Sequence, residues 1–124
     1  MQNHSSKVKS DLKQRCYSFS LEVISLVEIS SKDVASKIIL NQLIRSGTSV
    51  GANLFEATSS SSKLEFKKFH EIALKSANET KYWLNLLRDS GKADKEKINL
   101  LLGEITEVSN MIASGILRMK GKKD

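Results

Sequence analysis

Apolar residues recur along four stretches of the chain at alternating spacings of three and four, the period of one helical face. In the first stretch, Leu12, Cys16, Phe19, Val23 and Leu26 form such a seam. The second carries Ile39, Leu43, Gly47, Val50, Leu54 and Ala57, and the third Phe66, Phe69, Ala73, Thr80, Leu84 and Leu87. The fourth carries Ile98, Leu101, Ile105, Val108, Ile112, Ile116 and Met119. Side chains three and four positions apart stack on one side of a helix. Each stretch therefore predicts an amphipathic helix of about 25 residues, roughly 37 Å long at 1.5 Å per residue.

Capping residues mark the ends. Ser31 or Asp33 can accept the free N–H groups that open the second helix, and Ser62-x-x-Glu65 is a capping box for the third. Asp89-Ser90-Gly91 closes the third helix, with Gly91 suited to the left-handed position past the last turn, and Asp94 can cap the fourth. The connections that remain are short: around residues 30–32, Thr58–Ser62 and Ser90–Ala93. Short loops make successive helices antiparallel neighbours, so the predicted fold is all-α, an up-down-up-down antiparallel four-helix bundle. It is one domain over residues 1–124, with an ordered core at about 7–119, a polar N-terminal tail and a basic tail at 120–124. The complete absence of proline agrees with long helices and few turns.

The helices carry more apolar surface than one bundle interior uses. Tyr17, Leu21 and Ile24 form a second stripe on the first helix, rotated about 120–180° from its seam. The second helix adds Ile44, Gly51 and Phe55, and the fourth Leu100 and Met111. Stripes on several helices at once predict self-association. The second helix also concentrates small residues at Ser46, Gly47, Thr48, Ser49, Gly51 and Ala52. An interior glycine costs about 1 kcal/mol relative to alanine, and close approach of a neighbouring helix is the simplest compensation. A phosphate-binding loop would need a preceding strand and a Gly-Lys-Ser/Thr ending, which this segment lacks.

Catalytic constellations do not assemble. His4 falls in the N-terminal tail, and His70 is flanked by Lys67 and Lys68 with no second histidine a turn away. Cys16, the only cysteine, sits on a core seam where a buried, inert thiol is expected. The expectation is a non-enzyme with no metal and no cofactor. A single cysteine requires no oxidising compartment. No run approaches the ~20 apolar residues of a membrane span, and Leu21–Ile29, interrupted by Glu22, Ser25 and Glu28, makes a poor signal peptide. A cytoplasmic protein without a membrane partner is therefore expected.

Charge adds two features. The net charge is +6, which favours polyanionic partners. Lys63, Lys67, Lys68, His70, Lys75 and Lys81 fall within half the circumference of the third helix, and Arg118, Lys120, Lys122 and Lys123 form a second cluster. Such clusters neutralise phosphates without reading sequence. The Lys67–Glu71 pair also solvates the helix, and no interleaved aromatic residues are evident for base stacking. Glu79 lies on the flank of the third helix near Trp83, and Arg45 and Glu56 share a face of the second. Arg45 is expected to pair with Glu79 across helices, or with an equivalent acid of a neighbouring subunit.

Two segments carry a family resemblance. Gln42-Leu43-Ile44-Arg45-Ser46-Gly47-Thr48-Ser49-Val50-Gly51-Ala52-Asn53-Leu54-Phe55-Glu56-Ala57 resembles the signature of the 23S rRNA intervening-sequence protein family. Ala73-Leu74-Lys75-Ser76-Ala77-Asn78-Glu79-Thr80-Lys81-Tyr82-Trp83-Leu84-Asn85-Leu86-Leu87 is similar to its third-helix signature. The resemblance as a whole covers about residues 12 to 119. The resemblance implies a four-helix bundle that assembles as a homopentamer and has no known catalytic activity. A related branch, the accessory variability determinant of diversity-generating retroelements, associates with a reverse transcriptase and binds nucleic acid. Many relatives have proline where this chain has Gly51.

Two functional readings follow. One is a non-catalytic homo-oligomeric bundle, a pentamer as the resemblance implies, that binds RNA or DNA non-specifically through Lys63, Lys67, Lys68, Lys75, Lys120, Lys122 and Lys123. Arg45, Gly47, Gly51, Asn53, Glu56, Glu79, Trp83, Tyr17, Leu21 and Phe55 would then hold the bundle or its interface. The other is a protein-interaction scaffold or accessory subunit, for example of a reverse transcriptase, with no nucleic-acid binding of its own.

Overall fold

The computed structural model describes residues 4–121, with side chains from Asp11 onward. Four helices account for nearly all of it: α1 His4–Ile29, α2 Val34–Ala57, α3 Lys63–Asp89 and α4 Lys95–Gly121. Each helix packs on its two neighbours in chain order, and α4 closes back onto α1. Among the described residues no such packing joins the diagonal pairs. This is the predicted four-helix bundle. His4 lies within α1 instead of in a tail, and α4 continues to Gly121.

The loops form as their capping chemistry dictates. Of the two candidates for the α2 cap, Asp33 takes the role, its Oδ1 accepting from the Ser36 N–H at 2.9 Å. The Ser31 hydroxyl instead donates to Asp33 Oδ2 at 2.7 Å. The Ser36 N–H, followed by the Ser31 hydroxyl, holds the Asp33 carboxyl well below the usual carboxylate range. Ser62 accepts from the Glu65 N–H at 3.1 Å, while Glu65 reaches back to the Ser61 N–H at 3.0 Å, one residue earlier than a capping box requires. Gly91 adopts a φ of 72° after α3, where a side chain would be strained. Asp94 accepts from the Glu96 N–H at 3.2 Å to open α4.

The core is the set of predicted seams. Phe19, Val23, Leu43, Val50, Leu84, Leu87, Ile98, Ile105, Val108 and Ile112 are essentially without solvent exposure. Leu12, Ile39, Phe66, Phe69 and Met119, towards the helix ends or flanks, are half-buried. By length and composition α4 is apolar enough to cross a membrane. In the bundle its apolar face, from Ile98 to Ile116, fills the core. Thr80 is buried too, and donates to Ser46 Oγ at 3.0 Å; Ser76 donates to Ser49 Oγ at 2.9 Å. The buried Thr80 hydroxyl also has the Ser76 carbonyl at 2.7 Å and Ser46 the Leu43 carbonyl at 3.3 Å, so each keeps a partner between α2 and α3.

Candidate functional site

The small residues of α2 mark where α1 comes closest. A Cβ added at Gly51 would lie 3.2 Å from Cys16 Cβ, and one at Gly47 would lie 3.3 Å from a Val23 methyl. Helix α1 thus rests directly on the α2 backbone, which offsets the poor helix propensity of glycine by packing. Cys16 is sealed into this seam, and burial pushes its thiol up to about 12. A thiol held protonated in this way is a poor nucleophile. His70, the other candidate for chemistry, places Nδ1 2.9 Å from the Phe66 carbonyl and its ring 4.4 Å from that of Phe66. Among the described residues no group of three metal-ligating side chains gathers.

The predicted apolar stripes separate into exposed and covered parts. Tyr17 and Leu21 are 64% and 51% exposed, and Ile24 is exposed beside them. Of the predicted α2 stripe Phe55, at 72%, stands open; Val34 and Ile38, outside the stripe, are exposed near the start of the helix. Ile44 packs against the core, and Gly51 lies under α1. Phe55 falls one turn beyond Gly51, and Tyr17 follows Cys16, so both border the outer rim of the α1–α2 seam. Leu100 is exposed on α4, whereas Met111 is half-buried with its Sδ 3.5 Å from Arg15 Nη1.

Of the polar residues singled out on α2 and α3, Glu79, Trp83 and Asn53 find local partners. Trp83 donates Nε1–H to Glu79 at 2.9 Å, one turn away on the same helix. Arg45 is exposed and makes no ion pair among the described residues. The expected Arg45–Glu79 bridge within one chain is therefore not formed. Arg45 sits two positions from fully buried Leu43, about 200° around the helix, and points away from the bundle. Asn53 donates to the Ser49 carbonyl at 2.8 Å and to its hydroxyl at 2.9 Å, and so joins the Ser49–Ser76 line. Glu56 is exposed.

The lysines expected to meet phosphate lie on the surface: Lys63, Lys68, Lys75 and Lys120 are exposed and Lys67 is half-buried. Lys122 and Lys123 lie outside the described residues. One aromatic residue does share the basic face. Tyr82 is 60% exposed and follows Lys75 by seven positions, in phase with it, with its ring 5.0 Å from Trp83 in a T-shaped pair.

Sequence reasoning missed the most organised ionic group. Arg15 crosses from α1 to α4, with Nε 2.9 Å and Nη2 2.8 Å from the two carboxylate oxygens of Glu104, and Nη2 2.9 Å from Glu107. The forked contact with the Arg15 guanidinium holds the Glu104 carboxyl below its ordinary range, against the opposing effect of burial. The signal was present: Arg15 borders the α1 seam, and Glu104 and Glu107 stand three apart on a flank of α4. Sequence spacing alone does not say that these two flanks face each other.

These features define a class: a helical bundle with a closed core, a glycine-lined seam, and its distinctive residues on the outer faces. The chain belongs to the 23S rRNA-intervening sequence protein family, whose model matches residues 9–114. A crystal structure of a protein of unknown function from the S23 ribosomal protein family of Bacteroides thetaiotaomicron VPI-5482 is similar in sequence and fold. It is 32% identical, with a TM-score of 0.79, over 87% of this chain and 96% of that one. Among curated proteins none matches the chain.

Proposed function

We propose that the protein is a non-catalytic, self-associating bundle that binds RNA or DNA through the phosphate backbone. The observation that carries the self-association is the uncovered stripe of Tyr17, Leu21 and Ile24 beside Phe55. Large aromatic and aliphatic side chains grouped beside one seam lose exposed apolar area when a second copy covers them. The stripe can be covered by its own copy about a two-fold axis or by a different face of the next copy in a ring; the ring of five copies is what the family resemblance implies. The exposed lysines of α3 and α4 then recur around the assembly, and weak phosphate contacts add by avidity wherever one polyanion reaches several subunits. The buried Cys16 thiol and the locally engaged His70 support the non-catalytic part of the reading.

Sedimentation and salt-titrated binding test the two halves separately. The wild-type chain is expected to sediment as an oligomer at micromolar concentration, and Leu21→Asp as a smaller species with unchanged helicity. A wild-type monomer would refute the assembly. Labelled RNA and DNA are expected to bind at low salt and to be released as salt rises; no binding at low salt would refute the nucleic-acid role. The scaffold reading has one observation in its favour, the exposed Tyr82 beside half-buried Trp83 on α3, and it survives if the first half holds and the second fails.

A further inference from the structure

The two ends of the bundle are electrostatically unequal. In an antiparallel bundle each end collects two helix N-termini and two C-termini, so the macrodipoles cancel and side chains set the difference. At the end where α1 turns into α2 through residues 30–33 and α3 into α4 through residues 90–94, within about two turns of the helix termini, bases and acids balance. The bases are Lys32, Lys37, Arg88, Lys92, Lys95 and Lys97; the acids are Glu22, Glu28, Asp33, Asp89, Asp94 and Glu96. Several are paired, with Lys92 3.4 Å from Asp33 and Arg88 3.0 Å from Asp89.

The opposite end is different. The chain brings the start of α3 and the finish of α4 to the same end, which merges two clusters that are far apart in sequence. Helix α1 reaches the same level: Leu12 and Lys13 line one small groove with Leu54, Thr58, Phe66 and His70. Lys13, Lys63, Lys67, Lys68, Arg118 and Lys120 therefore collect at this end against Asp11, Glu56, Glu65 and Glu71. Among the described residues no ion pair joins Lys68, Arg118 or Lys120 to an acid. Two packed helices span roughly 20 Å, a width that accommodates several consecutive phosphates at the spacing of a nucleic-acid strand.

We propose that this end of the bundle, and not the length of α3, is the nucleic-acid face, with Lys13, Lys63, Lys67, Lys68, Arg118 and Lys120 neutralising the phosphodiester backbone. The inference rests on the nucleic-acid reading above and deepens it. It adds Lys13 and Arg118 to the binding residues and removes Lys75, which lies about 10 Å further along α3 from Lys68. No base edge is read, since the cations come from three different helices, at their loop-proximal turns, and the groove among them is too small for a base pair. RNA and DNA of equal length and strandedness are expected to bind alike.

Two charge-matched triple variants test it. Lys68→Glu/Arg118→Glu/Lys120→Glu reverses the basic end, and Lys37→Glu/Lys95→Glu/Lys97→Glu reverses the balanced end; each removes six units from a net charge of +6. Binding of a short labelled RNA and of its DNA counterpart is measured by anisotropy across a salt series, with circular dichroism and sedimentation on both variants. The basic-end variant is expected to bind at least about tenfold more weakly, with a log–log salt slope shallower by about two to three. The balanced-end variant is expected to stay within about threefold of wild type, by the loss of long-range attraction alone. Equal losses in the two variants would overturn the end assignment and leave the nucleic-acid reading standing. Absence of binding by the wild-type chain would overturn both. If the charge reversal unfolds the protein, the neutralising pair Lys68→Gln/Lys120→Gln gives the same ordering with smaller changes.

Discussion

Helix α1 is held on its two sides by opposite chemistry. Towards α2 the contact is small and apolar, with Cys16 against Gly51 and Phe19 and Val23 against Gly47. Towards α4 the packing is less extensive, and an arginine forked onto two glutamates spans the seam. The first seam depends on shape, so its strength is nearly independent of salt and pH and falls steeply when volume changes. The second depends on charge, so it responds to solution conditions and tolerates volume changes. A helix mounted in this way has one fixed edge and one adjustable edge.

The largest expected effect lies on the fixed edge. Phe19 is fully buried and faces Gly47, so Phe19→Ala is expected to cost about 3–5 kcal/mol in urea unfolding. A loss under about 1 kcal/mol would mean that α1 settles onto α2 and refills the space. Gly51→Leu acts on the same edge from the other side. A side chain there begins 3.2 Å from Cys16 and must push α1 away, at about 1–3 kcal/mol. An unchanged urea midpoint would show that the two backbones are further apart than the seam implies.

The adjustable edge should respond more weakly and with a different signature. Arg15→Met keeps the aliphatic stem but leaves Glu104 without its fork, and is expected to cost about 1 kcal/mol, as partly exposed pairs do. Because the folded-state pKa of Glu104 is depressed, its contribution is present above the ordinary glutamate pKa and is lost as pH falls through the folded value. Wild type should thus lose stability in acid below about pH 4 more steeply than Arg15→Met does. Parallel acid profiles for the two proteins would show that the cluster contributes nothing to holding α1 against α4. Asp33 is also depressed, by the Ser36 N–H first; it titrates identically in both proteins and cancels in that comparison.

The fixed edge was legible in the sequence and the adjustable one was not. Gly47 and Gly51 stand on an otherwise helical, apolar seam, and only a close neighbour explains two glycines there. The seams, the loops and the caps followed from the 3.6-residue period and local hydrogen bonding, both of which are written within a few residues. Arg15 and Glu104 are 89 positions apart, and their meeting depends on which flanks two non-consecutive helices present to each other. The Arg45–Glu79 bridge failed for a related reason. A long-range ion pair was favoured where Trp83, four positions from Glu79, offered a nearer donor. The basic end was hidden in the same way, as two clusters that only the antiparallel topology brings together.

The smallest expected effect discriminates most finely between shape and propensity on the fixed edge. Gly51→Ala gains about 1 kcal/mol of helix propensity, and its methyl lies 3.2 Å from Cys16 Cβ and 3.7 Å from the Cys16 backbone. The nearest neighbour is the root of a side chain, not its flexible end, so α1 itself must move by a few tenths of an ångström. We expect the strain to offset most of the gain and the net change to stay within about 0.5 kcal/mol. At Gly103, where nothing lies within 4 Å, the same substitution meets no neighbour and should stabilise by about the full propensity difference. Equal stabilisation at both positions would mean that α1 yields freely, and the contrast between its two edges would then be one of chemistry without a difference in rigidity.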